Sequence, residues 1–136
     1  MSLLAKILFS ALIILFIPAQ AIAAIDGKSA LICAIIDVND CTAGNGCSVG
    51  DNESLDLPDF IRIDFANKEI TARDEEESDR KTIIQVITLS DDGFLLQGSG
   101  LGRGWTMSMN KTDGEFALAA TGNGLTFAAF GVCTKE

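Results

Sequence analysis

Through much of the chain apolar and polar residues alternate with a period of two, the signature of β-strands that bury one face and wet the other. Ile61, Ile63 and Phe65 alternate with Arg62 and Asp64, and after Ala66-Asn67-Lys68 the alternation resumes in Glu69-Ile70-Thr71-Ala72-Arg73. Two such runs across a tight turn predict a hairpin. Trp105, Met107 and Met109 share one face against Thr106 and Ser108, and Phe116, Leu118 and Ala120 share another further on. Thr82 to Leu89 reads Thr-Ile-Ile-Gln-Val-Ile-Thr-Leu, which predicts a strand buried on much of both sides. Ala30 to Val38 is an apolar run whose β-branched content favours a buried strand, with a short helix as the alternative.

Turn chemistry separates these runs. Asp91-Asp92-Gly93, the glycine-rich bend Ser99 to Gly104, Asn110 to Gly114 and Thr121-Gly122-Asn123-Gly124 each punctuate the pattern before Leu125 to Cys133 closes it. Asn39 to Leu57 is turn-rich and reads as the least regular segment. Strands spaced about eight to twelve residues apart, with no amphipathic helix among them, predict an all-β fold. The expected form is an antiparallel meander of about seven or eight strands closing into a barrel, with a β-sandwich as the alternative; closure removes the unpaired edges of an open sheet.

The amino-terminal pattern is of a different kind. Lys6 precedes an apolar stretch from Ile7 to Ile17, Pro18 ends it, and Ala21-Ile22-Ala23 presents small residues at a cleavage site. This predicts a secretory signal peptide over residues 1–23 and a single β-rich domain over 24–136. An uncleaved anchor is the competing reading, but Pro18 and Gln20 interrupt the apolar run, and a span wants roughly 20 such residues. Ile32 before Cys33, with Asp26 and Lys28 upstream, does not suit a lipid-anchoring site.

Export changes how the cysteines are read. Cys33, Cys41, Cys47 and Cys133 are an even set in a small exported chain, which predicts two disulfides out of three possible connectivities. The preferred pairing joins Cys41 to Cys47 across a short loop and Cys33 to Cys133 near the two ends. A zinc site of all four is the alternative, and no two of them show the close spacing of a zinc knuckle.

Charge and composition then exclude function classes. The chain has 10 cations against 19 acidic side chains and a net charge of −9, which becomes −10 when Lys6 leaves with the signal peptide. Nucleic acid is excluded as a partner, because phosphate neutralisation needs clustered Lys and Arg. Membrane insertion is not expected after cleavage; a basic envelope or secreted protein is the partner that this charge suits. With no histidine in the chain, Ser-His-Asp and Cys-His catalysis and histidine-ligated metal sites are closed. Carboxylate pairs remain available for acid and base work, with Asp64, Glu69, Asp91 and Asp92 as candidates, yet their spacing singles out no pair. Asp64 lies opposite the apolar face of its strand and reads as a surface residue.

Three local motifs invite sharper readings. Asp37-Val38-Asn39-Asp40 begins like a calcium loop, but Thr42 stands where glycine is needed and Ser48 where glutamate binds. Gly98-Ser99-Gly100-Leu101-Gly102-Arg103-Gly104 has the glycines of a phosphate loop without its lysine or a following helix, so a strand connection is the plainer reading. That connection carries Ser99 and Arg103 beside Trp105, the only tryptophan, and these three are the candidate binding residues. Trp105, in period with Met107 and Met109, also reads as core. Asn52-Glu53-Ser54 and Asn110-Lys111-Thr112 are glycosylation sequons that matter only in a eukaryotic secretory pathway, and the short n-region looks bacterial. The sequence thus predicts no catalytic residue, no metal, no cofactor and no enzyme activity.

Ile32-Cys33-Ala34, Leu57-Pro58-Asp59-Phe60-Ile61-Arg62, Leu96-Gln97-Gly98, Gly102-Arg103-Gly104-Trp105 and Phe130-Gly131-Val132-Cys133 together resemble small exported bacterial proteins of unassigned function. That resemblance implies no activity and no site residues. The predicted architecture is also similar to bacterial inhibitors of c-type lysozyme, which carry a Ser-Gly loop motif; Ser99-Gly100 matches it, while the aromatic and basic residues that follow are out of register. Two function classes follow: an exported envelope protein, inhibitor-like in manner, that binds through loops of a disulfide-stapled β scaffold, or a carrier of a small apolar ligand inside the barrel. A large empty apolar cavity would favour the carrier and a filled interior the binder.

Overall fold

The computed structural model describes residues 24–73 and 80–136; the expected signal peptide and the acidic run from Asp74 to Asp79 lie outside the described residues. Nine strands follow one another: β1 (Leu31–Thr42), β2 (Gly46–Gly50), β3 (Phe60–Asp64), β4 (Glu69–Ala72), β5 (Lys81–Leu89), β6 (Gly93–Gly100), β7 (Arg103–Asn110), β8 (Glu115–Gly122) and β9 (Leu125–Lys135). From β3 to β9 each strand pairs antiparallel with the next, and β9 returns to pair with β1 from Leu31↔Lys135 to Thr42↔Leu125. Because β1 also pairs with β3, eight strands, all but β2, close into a barrel. The sandwich alternative is thereby set aside.

The long strand β1 serves two neighbours on one edge. Its first half, Leu31 to Ala34, pairs with β3, and its second half, Val38 to Thr42, pairs with β2. Asn39 to Leu57 is therefore more regular than its turn-forming composition predicts. The β9 ladder supplies partners for every residue from Asp37 to Thr42, and that long-range pairing overrides local preference. The first part of the segment extends β1 and Gly46 to Gly50 forms β2.

Both disulfides have the preferred connectivity, and the register explains it. Cys33 lies directly opposite Cys133 in the β1–β9 ladder, and Cys41 lies directly opposite Cys47 in the β1–β2 ladder. Register pairs bring side chains of one face together, so oxidation needs no rearrangement of the backbone. All four cysteines are consumed, and the fold belongs to oxidising surroundings.

Alternate residues of each strand fill the barrel. Leu31 and Cys33 of β1, Ile61 and Ile63 of β3, Ile70, Ile84, Leu96, Met107, Phe116, Ala129 and Cys133 are buried in one contiguous core. Phe116, Leu118 and Ala120 share the inner face of β8, and Trp105, Met107 and Met109 that of β7. The exception to the predicted pattern is β5, which is not buried on both sides: Ile83 is 46 % exposed, Val86 45 % and Leu89 67 %. A barrel strand has one inner face, and the β5–β6 register shifts between Ile84 and Val86. This bulge moves the inward positions from even to odd residues, so Ile84 and Ile87 both pack inward and the sequence reads as a continuous apolar run.

One end of the barrel is closed. Ile25, ahead of β1, is buried, its N–H donates to the carbonyl of Lys111 at 2.9 Å, and Phe65 and Phe94 pack nearby with ring centroids 5.6 Å apart. Asp26 fixes this segment: its carboxylate accepts the backbone N–H groups of Lys28 and Ser29, both at 2.9 Å, and Lys135 Nζ at 3.0 Å. Those bonds, the Ser29 and Lys28 amides ahead of Lys135, hold the Asp26 carboxyl well below the usual carboxylate range.

Candidate functional site

Among the described residues, the opposite end is open. There the β6–β7 hairpin turns at Leu101-Gly102 and the β8–β9 hairpin at Asn123-Gly124, each a two-residue connection with both residues at positive φ. Such turns match the twist of paired strands, and Asn-Gly meets the requirement readily. Leu101 does not: a branched side chain at φ 53° pays a steric cost, and it stands 63 % exposed at the lip of the opening. The expected bend from Ser99 to Gly104 is thus only two residues long, with Ser99 still in β6 and Arg103 already in β7.

Below this lip lies a cavity of about 130 Å³. Its wall is mostly apolar: Ile61, Ile70, Trp105, Leu118, Phe127 and Ala129 line it, from β3, β4, β7, β8 and β9. Thr82, at the start of β5, organises the wall. Its Oγ1 accepts the indole Nε1–H of Trp105 at 2.8 Å and donates to the carbonyl of Ser99 at 3.2 Å. The indole lies over Gly98 of β6, where an added Cβ would come within 2.5 Å of the ring, so this glycine creates the space that the ring occupies.

Among the described residues, three cations line the cavity: Arg80, Lys81 and Arg103. Arg80 donates to the Asp56 carboxylate at 3.3 Å and to the Asp56 carbonyl, and Lys81 lies 3.6 Å from Glu69. Arg103 differs. Its guanidinium sits 5.6 Å from the centroid of the Phe127 ring, and its Nε is buried without a hydrogen-bond partner among the described residues.

Of the three candidate binding residues, the structure brings two together. Arg103 and Trp105 occupy alternate positions of β7 and face the same interior, whereas Ser99 is exposed and its Oγ accepts a bond from Gln85 Nε2 at 3.0 Å. Sequence reasoning placed Arg103 on a loop tip and missed Thr82, Leu118, Phe127 and Ala129 as neighbours of Trp105. Part of this was legible, since Arg103 continues the two-residue step of Trp105, Met107 and Met109 toward the turn.

Of the candidate carboxylates, Asp64 and Glu69 are tied to cations. Asp64 accepts the backbone N–H of Asn67 at 2.9 Å and Arg62 Nη1 at 2.9 Å; the Asn67 amide, then Arg62, lowers its carboxyl to about 2. Glu136 bridges Arg73 and Arg62, and these two guanidinium groups hold its carboxyl below the ordinary range. Asp91 and Asp92 are exposed in the β5–β6 turn, and Asp40 accepts from Ser48 Oγ at 3.2 Å. Among the described residues no group of three or more His, Cys, Asp or Glu side chains is arranged to hold a metal ion.

No protein-family profile matches the chain, and no curated protein or solved structure is significantly similar to it.

Proposed function

We propose that this protein is a non-enzymatic, exported binding protein whose barrel receives a small apolar ligand through its open end. One observation carries the reading: an apolar cavity of about 130 Å³ lies beneath Leu101, lined by Trp105, Leu118 and Phe127. Cavities of about 150 Å³ with such walls take up benzene-sized guests, because water gains too few hydrogen bonds there. The amino-terminal pattern of Lys6, Ile7 to Ile17 and Ala21-Ile22-Ala23 supports export to the periplasm or medium, as do the two disulfides. The loop-borne binder has less support, since it needs Ser99, Arg103 and Trp105 on one surface and two of these face inward.

The single tryptophan reports on the cavity. Titration with benzene or a short alkanol should change Trp105 emission saturably, and Ala120→Leu, which adds volume to the cavity wall, should abolish the change while the barrel stays folded. Absence of any saturable response in the unmodified protein would overturn the carrier reading.

A further inference from the structure

We infer that the ligand is an amphiphile whose apolar group enters the cavity and whose carboxylate is received by Arg103; this rests on the carrier reading above. The argument starts from an imbalance. The chain carries 19 acidic side chains against 10 cations, so an arginine has many potential partners, and Arg62, Arg73 and Arg80 each have one. Arg103 has neither an ion pair nor a side-chain hydrogen bond among the described residues, although its Nε is buried. A buried donor without an acceptor is costly in a finished structure, and at the wall of a cavity it marks where an acceptor from outside belongs.

The surroundings specify the acceptor. Phe127 lies under the guanidinium at 5.6 Å and covers its face, leaving the donor edge for a partner. A guanidinium presents paired donors in one plane, matching the two oxygens of a carboxylate. Lys81 and Arg80 line the same cavity but are paired with Glu69 and Asp56, which leaves Arg103 as the lining cation without an ion pair among the described residues. The walls are Ile61, Leu118, Ala129 and Trp105, which offer a carboxylate's tail an apolar seat, and no acidic side chain lines the cavity among the described residues. Leu101, exposed at the lip, continues the apolar surface outward for a tail or ring longer than the cavity. A ligand with an apolar group of about ring size and one carboxylate satisfies each of these features at once.

The test compares head groups on one tail, read by Trp105 emission and by calorimetry on the full mature chain. Hexanoate, 1-hexanol, hexylamine and hexyl phosphate are titrated into the unmodified protein, Arg103→Met and Arg103→Gln at pH 7. Hexanoate should bind at least tenfold more tightly than 1-hexanol, and hexylamine more weakly than either. Both variants should lose that tenfold preference while still binding 1-hexanol, which separates a lost head-group contact from a lost cavity. Equal binding of hexanoate and 1-hexanol would overturn the carboxylate assignment and leave the carrier reading standing. Tighter binding of hexyl phosphate than of hexanoate would replace carboxylate by phosphate. Failure of all four to bind would overturn the carrier reading itself.

Discussion

Trp105 donates its indole N–H to Thr82 Oγ1 at 2.8 Å, so a side chain of β7 is tied to one of β5 across the intervening strand β6. The bond is possible because Gly98 of β6 has no side chain to occupy the space beneath the ring. It fixes the orientation of the largest residue in the cavity wall, and the first prediction follows from it.

Thr82→Val keeps the shape of the side chain and removes the acceptor. The indole N–H then loses its partner in a partly buried position, at a cost of about 1 kcal/mol, with a red shift of Trp105 emission as the ring gains freedom to turn toward water. Gly98→Ala acts from the other side. Its Cβ would meet the Ile83 carbonyl at 2.2 Å as well as the indole, so the loss should be larger, about 1 to 3 kcal/mol, measured by urea denaturation.

The two disulfides should contribute unequally. Cys33 and Cys133 are separated by 100 residues and Cys41 and Cys47 by 6, and chain-closure entropy rises with the logarithm of the loop. Replacing the first pair by alanine should cost about 4 to 5 kcal/mol and the second about 2 kcal/mol. Denaturation of the two double variants checks the order; equal losses would mean that strain or residual structure, not loop closure, sets the contribution.

Acid should weaken the barrel where β3 meets Glu136. Asp64 and Glu136 have carboxyls lowered by the partners they gain on folding, so the folded state holds fewer protons than the unfolded one as the pH falls. The stabilisation from Asp64 is complete above its ordinary value of 3.8 and is lost as the pH drops through about 2. Asp64→Asn should flatten the decline in melting temperature between about pH 4 and 2. An unchanged pH profile would show that the Asn67 and Arg62 contacts do not persist in solution.

Cleavage and folding should meet at Ile25. A mature amino terminus near Ala24, read by mass spectrometry of exported protein, retains the buried Ile25 and the Asp26 turn that closes one end of the barrel. Ile25→Ala should cost about 2 kcal/mol, the lower range for deleting a large core side chain, because the segment can partly collapse into the gap.

What the sequence alone determined is whatever depends on short-range pattern. Alternation at Ile61-Ile63-Phe65, Trp105-Met107-Met109 and Phe116-Leu118-Ala120 identified inner faces, and the glycine and asparagine turns located the hairpins, because period two and positive φ are local constraints. The even cysteine count and their positions favoured the pairing that the register then brought about. Tertiary structure alone decided the rest. The β1–β9 ladder turned Asn39 to Thr42 into strand, and the bulge in β5 moved Val86 to the outside and brought Ile87 inward. Arg103 came to line an interior because a two-residue turn kept β7 in phase up to that position, and Thr82 met Trp105 because the β5–β6 and β6–β7 ladders place Gly98 between them. These outcomes depend on which strands pair and in what register, and only the assembled sheet brings these side chains within reach of one another.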